Sequence, residues 1–118
     1  MNSKSACIVT LSALLSSACA AHRAPTLAIE ASADSIVRAQ ASGAEELAPD
    51  ELRLAREKLA LTRRWMVARD HEPARWLAEQ AEVDAELARA RSAAARAIRE
   101  ASMLDTERMR MVRSRDAS

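Results

Sequence analysis

Phenylalanine and tyrosine are missing from this 118-residue chain; glycine occurs once, proline three times, and cysteine, histidine and tryptophan twice each. Each shortage removes a class of explanation. With so few aromatic residues there is little from which to make a β-sheet. A single glycine cannot build the loop whose backbone amides cradle a phosphate. Both histidines, His22 and His71, fall in segments that read as connections, so no serine, histidine and acid arrangement is credible and no catalytic residue is assigned. Structural zinc sites use about four ligands dominated by Cys and His, whereas His71 stands only with Asp70 and Glu72 in what reads as a solvated turn. No metal and no other cofactor is expected. Charge excess is missing as well: 18 Lys and Arg oppose 17 Asp and Glu, and loss of Lys4 with the leader makes the two equal, which removes any electrostatic preference for nucleic acid.

The beginning of the chain is the most specific segment present. Met1 to Ser5 is polar with one lysine, Ala6 to Leu15 is apolar, and Ser16-Ser17-Ala18-Cys19 closes it in small residues and a cysteine. Such a run reads as an export signal, too short for the roughly 20 apolar residues that a membrane span needs. The stretch Leu14-Leu15-Ser16-Ser17-Ala18-Cys19 resembles the lipobox of bacterial lipoproteins, in which the cysteine thiol receives a diacylglycerol, the leader is cut before it, and the new amine is acylated. The lipobox usually places an aliphatic residue three positions before the cysteine, where this chain has Ser16. The alternative is ordinary signal-peptidase cleavage at Ala18-Cys19-Ala20, releasing a soluble periplasmic protein that starts at Ala21. Of the two, the reading carried forward is lipidation of Cys19. Cys7 leaves with the leader and Cys19 is acylated or terminal, so no intramolecular disulfide or thiolate metal site can form.

What remains is rich in Ala, Arg, Glu and Leu, the composition of long helices and coiled coils. Prolines punctuate it, each suited to a first helical turn, where a missing N–H costs nothing. The expected elements are a first helix from Pro25 or Thr26 to Gly43, a second from Pro49 to Asp70 with Asp50 and Glu51 in its first turn, and a third from Pro73 to about Met111. Gly43 suits a C-terminal cap with positive φ. In the second helix Leu52, Ala55, Leu59, Thr62 and Met66 step by three and four into one stripe. In the third, a seven-residue repeat puts Trp76, Val83, Ala90, Ala97, Leu104 and Met111 on one seam, flanked by Gln80, Leu87, Ala94, Ala101 and Arg108.

Lengths complete the architecture. The second helix, at roughly 33 Å, matches only the first half of a third helix of roughly 60 Å. The fold class expected is therefore all-α: a small three-helix bundle, made of an antiparallel hairpin plus the N-terminal helix, with a long projecting C-terminal helix. The chain divides into a signal peptide (1–18), an acylated cysteine and short tether (19–24), the bundle (25–95), and a projecting helix with a basic tail (96–118). Ile98, Ala101, Leu104 and Met111 on the projection have no intramolecular partner in this scheme and form a candidate interaction seam.

The pattern Pro25, Ala31, Ala39, Gly43-Ala44, Ala48-Pro49, Leu52, Ala55, Lys58-Leu59, then Ala74, Leu77-Ala78, Ala81, Asp84-Ala85 and Ala88 resembles the short helical domain of bacterial envelope lipoproteins classed only as a domain of unknown function. Relatives of that kind occur alone or ahead of an OmpA-like peptidoglycan-binding domain. The resemblance covers most of residues 25 to 95 and implies a location and an architecture rather than an activity.

Three further features bear on partners. Trp65 and Trp76 stand nearly equidistant from the turn and are expected to pack together across the hairpin end. Asp84 comes level with Lys58 and should pair with it at the bundle edge. Arg108, Arg110, Arg113 and Arg115 form a basic tail, a solvated end that also suits contact with anionic peptidoglycan or lipid headgroups. The expected function is a non-enzymatic lipoprotein at the periplasmic face of the outer membrane, held there by its covalent lipid. It would act as a structural or interaction module whose partner is a second copy or another envelope protein. The alternative is a soluble periplasmic adaptor using the same helices.

Overall fold

A computed structural model describes residues 23–118. The leader, Cys19 and His22 lie outside the described residues. Four helices and no strand make up the described chain: α1 (Pro25–Ala41), α2 (Ala44–Leu47), α3 (Pro49–Val67) and α4 (His71–Asp116). The fold is all-α with a long extended C-terminal helix; at 46 residues α4 runs for about 69 Å. No helix among the described residues is long and apolar enough to cross a membrane.

Local chemistry explains most of the boundaries. Pro25 and Pro49 open α1 and α3 as expected. α1 ends at Ala41, with Gly43 in the left-handed region at φ 81°, its amide donating to the carbonyl of Gln40 at 2.9 Å. A Cβ on Gly43 would meet only Leu47 Cδ1, at an ordinary 3.7 Å, so the backbone angle rather than space calls for glycine. The Gly43 carbonyl then accepts the amides of Glu46 and Leu47 and starts α2, where the helix spacing predicts only a connection. Ala48 breaks out at φ −150°, because the Pro49 ring disfavours helical geometry in the residue before it.

The α3–α4 turn comes earlier than expected. α3 stops at Val67 rather than Asp70, and α4 starts at His71 rather than Pro73. The Asp70 amide donates to the Trp65 carbonyl and the Arg69 amide to that of Met66, the paired bonds of a Schellman cap, with Arg69 at φ 58° where glycine is usual. No glycine marked this stop, so periodicity alone carried the expected helix too far. Pro73 is the third residue of α4, still among the first four amides that have no acceptor within a helix, and therefore loses nothing. His71 and Glu72 lie in the first turn of α4, not in the connection.

α1 and α3 both pack along the first half of α4. Arg23 meets Glu82 at 2.7 Å and Arg99 meets Glu46 at 3.0 Å, so α1 runs parallel to α4. The Glu51–Arg91 and Lys58–Asp84 ion pairs make α3 antiparallel to it. Their shared core is built from small residues: Ala28, Ser32, Ser35 and Ala39 of α1, Ala44 and Ala48, and Ala74, Ala78, Ala81, Ala85, Ala88 and Ser92 of α4. Ile36, Leu52, Leu59 and Thr62 add bulk to these buried positions. Alternating steps of four and three on α1 and α4 make each buried row a continuous stripe, and methyl or hydroxymethyl side chains let the backbones approach closely. The expected α3 stripe is present, with Leu52, Ala55, Leu59 and Thr62 buried and Met66 partly so.

The seam expected on the third helix is not the one that packs. Trp76, Val83 and Leu87 are exposed, as is Ala90; the buried row lies two residues earlier, about 200° around the helix. Reading the larger apolar residues as the inward face selected the wrong side, because helices in near contact exclude large side chains and bury alanine instead. α4 thus has two stripes: one of alanine facing α1 and α3, and one with larger residues facing outward.

Candidate functional site

Buried polar side chains give the first test for a chemical site. Ser32 Oγ donates to the Ile29 carbonyl at 2.8 Å, Thr62 Oγ1 to that of Lys58 at 2.9 Å and Ser92 Oγ to that of Ala88 at 2.8 Å, while Ser35 Oγ accepts from Arg38 at 2.6 Å. Each is satisfied within its own helix and none is left over for a ligand. Two buried polar atoms lack an aligned hydrogen bond, Arg75 Nε and Asp84 Oδ2, and both side chains are in ion pairs. Arg75 holds Glu72 and Glu79 through its other nitrogens, at 3.1 and 2.9 Å. Lys58 Nζ stands 2.6 Å from Asp84 Oδ2, an ion pair by distance that lies off the hydrogen-bond line. The expected Lys58–Asp84 partnership is thus present, and it joins α3 to α4.

Nothing among the described residues forms a group of three or more His, Cys, Asp or Glu suited to a metal ion. A surface depression of about 610 Å³ is lined by Ala101, Leu104, Asp105, Glu107, Arg108, Met111, Val112 and Arg115. All of these are on α4, so the depression has one wall and cannot enclose a small molecule.

The exposed surface of α4 is the more informative region. Ser92 is the last buried residue; beyond it, Ile98 is 70% exposed and Leu104 72%, with Ala101, Met103, Met109, Met111 and Val112 also exposed. Two arginines of this half reach back. Arg99 pairs with Glu46, and Arg96 donates to the Ser42 carbonyl, tying the α1–α2 connection to α4. The four candidate seam residues therefore share an exposed half-helix; at about 100° per residue Ile98, Ala101 and Leu104 step around it by about 60° each, and only Leu104 and Met111, seven residues apart, lie within about 20° of one another, so the four spiral rather than forming a straight row. Arg108, Arg113 and Arg115 have no ion-pair partner among the described residues, whereas Arg110 holds Glu107 at 2.6 Å.

Both tryptophans lie at the surface. Trp65 is 38% exposed and Trp76 58%. Arg56 of α3, with help from Gln40, holds the Glu45 carboxyl of α2 below its usual range. Arg89 does the same for Glu86; burial opposes it, and Arg38 adds a smaller downward pull.

Residues 21–104 match the model of a protein family described as a domain of unknown function, DUF4398. The chain belongs to this family. The match runs twelve residues past Ser92, so the family region includes the first part of the exposed half of α4 together with Arg96, Ile98, Arg99 and Leu104. No curated protein and no solved structure matches the chain.

Proposed function

We propose that this protein is a non-enzymatic lipoprotein of the bacterial envelope. The chain is exported, cut before Cys19 and acylated there, and the lipid holds it at the periplasmic face of the outer membrane. α1, α3 and the first half of α4 form a three-helix bundle, and the rest of α4 is an interaction arm, self-associating or engaging another envelope protein through Ile98, Ala101, Leu104 and Met111. The basic end, Arg108 to Arg115, is placed to contact anionic peptidoglycan.

One observation carries the reading: large apolar side chains stand on the outside of an exposed half-helix while the packed half buries almost only alanine and serine. Covering such residues is worth about 25 cal/mol per Å² before association costs. Confinement to a membrane raises the local concentration, so a weak contact becomes populated.

Replacing Cys19 with Ser tests the anchor. The wild type should fractionate with membranes and the variant should not; equal recovery would reject lipidation and favour the soluble adaptor, released after Ala20. Analytical ultracentrifugation of the soluble form, from tens to hundreds of micromolar, tests the arm. Wild type should associate with rising concentration, and the Ile98→Glu, Leu104→Glu double variant should stay monomeric. A monomer throughout, with the variant indistinguishable from it, removes self-association.

A further inference from the structure

We infer that the α3–α4 hairpin end is a foot that rests in lipid headgroups, so that the molecule stands on the membrane with the free half of α4 pointing away from it. The inference builds on acylation of Cys19, as proposed above.

The hairpin end carries an unusual set of exposed side chains. Val67 is 86% exposed, and Trp65 and Trp76 flank the turn on its two helices, both on the surface. Arg63, Arg64 and Arg69 are exposed and have no ion-pair partner among the described residues. Tryptophan, with an apolar body and a polar N–H, is favoured at the membrane–water interface. Guanidinium groups match lipid phosphates in geometry and charge. Aromatic, aliphatic and cationic groups thus meet at one end, in the combination that a headgroup layer accommodates and that water alone does not favour.

Chain length brings the membrane to this end. Arg23 contacts Glu82, and Cys19 lies four residues before Arg23, a tether that reaches at most about 14 Å. From Glu82 back to His71, α4 extends about 17 Å toward the turn. α1 runs parallel to α4, so its N-terminus lies toward the same end as the hairpin. A lipid on Cys19 drawn down that axis brings the turn to headgroup level. Along the opposite direction, α4 continues from Ser92 to Asp116, about 36 Å, carrying the interaction arm away from the bilayer.

Both tryptophans of the protein lie at this hairpin and there is no tyrosine, so intrinsic fluorescence reports on the foot alone. The test uses the protein as processed by an exporting bacterial host, and its Cys19→Ser counterpart, mixed with vesicles of phosphatidylethanolamine and phosphatidylglycerol. Flotation reads anchoring, and tryptophan emission, with lipids brominated near the headgroup as quenchers, reads contact of the foot. The expected result is that wild type floats, its emission shifts to the blue, and shallow bromine quenches it. An Arg63→Glu, Arg64→Glu, Arg69→Glu variant that retains the helical circular dichroism of wild type should float equally but lose most of the quenching. Wild type that floats with unshifted, unquenched emission overturns the foot and leaves the anchor standing. Wild type that neither floats nor shows quenching overturns both. Quenching that persists in a floating Cys19→Ser protein supports the foot and removes the anchor. Unchanged quenching in the charge-reversed variant overturns the role given to the arginines.

Discussion

The two halves of α4 are built on opposite plans. From Ala74 to Ser92 the helix turns alanine and serine inward and is covered by α1 and α3; after Ser92 no residue is buried, although Ile98, Met103, Leu104, Met109, Met111 and Val112 all stand there. Burial along α4 therefore does not follow side-chain hydrophobicity. It follows the distance between helices, which in the covered half admits a methyl group and little more. The largest apolar residues of the same helix are left to water or to a partner.

The comparison can be broken most directly by putting bulk into the covered half. Ala85→Leu should force α1 and α3 away from α4 and lower stability by about 2–3 kcal/mol, measured by urea or thermal unfolding. A neutral outcome would mean that the alanine row is not closely packed. Arg69→Gly, at the turn where the covered half begins, should act in the other direction. Glycine accepts a positive φ without the penalty that a Cβ imposes, so unfolding should be harder by about 1 kcal/mol. No gain would show that the cap is not held at that angle in solution.

In the uncovered half, Leu104→Ala should change the stability of the monomer by less than about 0.5 kcal/mol, as exposed substitutions do. A much larger loss at dilute protein would reveal an intramolecular partner for this half. The smallest effect concerns acid. Arginines hold the carboxyls of Glu45 and Glu86 below the ordinary value of 4.5, so the stability they contribute is present above that value and is lost as pH falls through their lower folded-state values. Glu45 is on α2 and Glu86 in the covered half of α4. A Glu45→Gln, Glu86→Gln protein should therefore show a slightly smaller fall in melting temperature between neutral pH and pH about 3. An identical fall would leave these pairs without a measurable part in stability.

Most of the fold was legible because its signals are local. Pro25 and Pro49 started their helices, Gly43 took the left-handed cap, and Leu52, Ala55, Leu59 and Thr62 formed the stripe that their spacing implies. The Lys58–Asp84 pair followed from counting back through the turn. Three readings failed for identifiable reasons. α2 is four residues long, too short for periodicity to reveal. The α3–α4 turn is capped by Arg69, which sends no glycine-like signal. The outward row of α4 was taken for its packed row because both repeat with the same heptad spacing, and only the outward one contains large apolar residues.

By itself the sequence determined that this chain is helical, where α1 and α3 begin, and that one helix is far longer than the others, since propensity, proline position and apolar spacing act within a few residues of one another. Tertiary structure decided which face of α4 is the inside. The choice between two equally periodic stripes depends on how closely α1 and α3 can approach, and that distance is a property of three helices together rather than of any one segment.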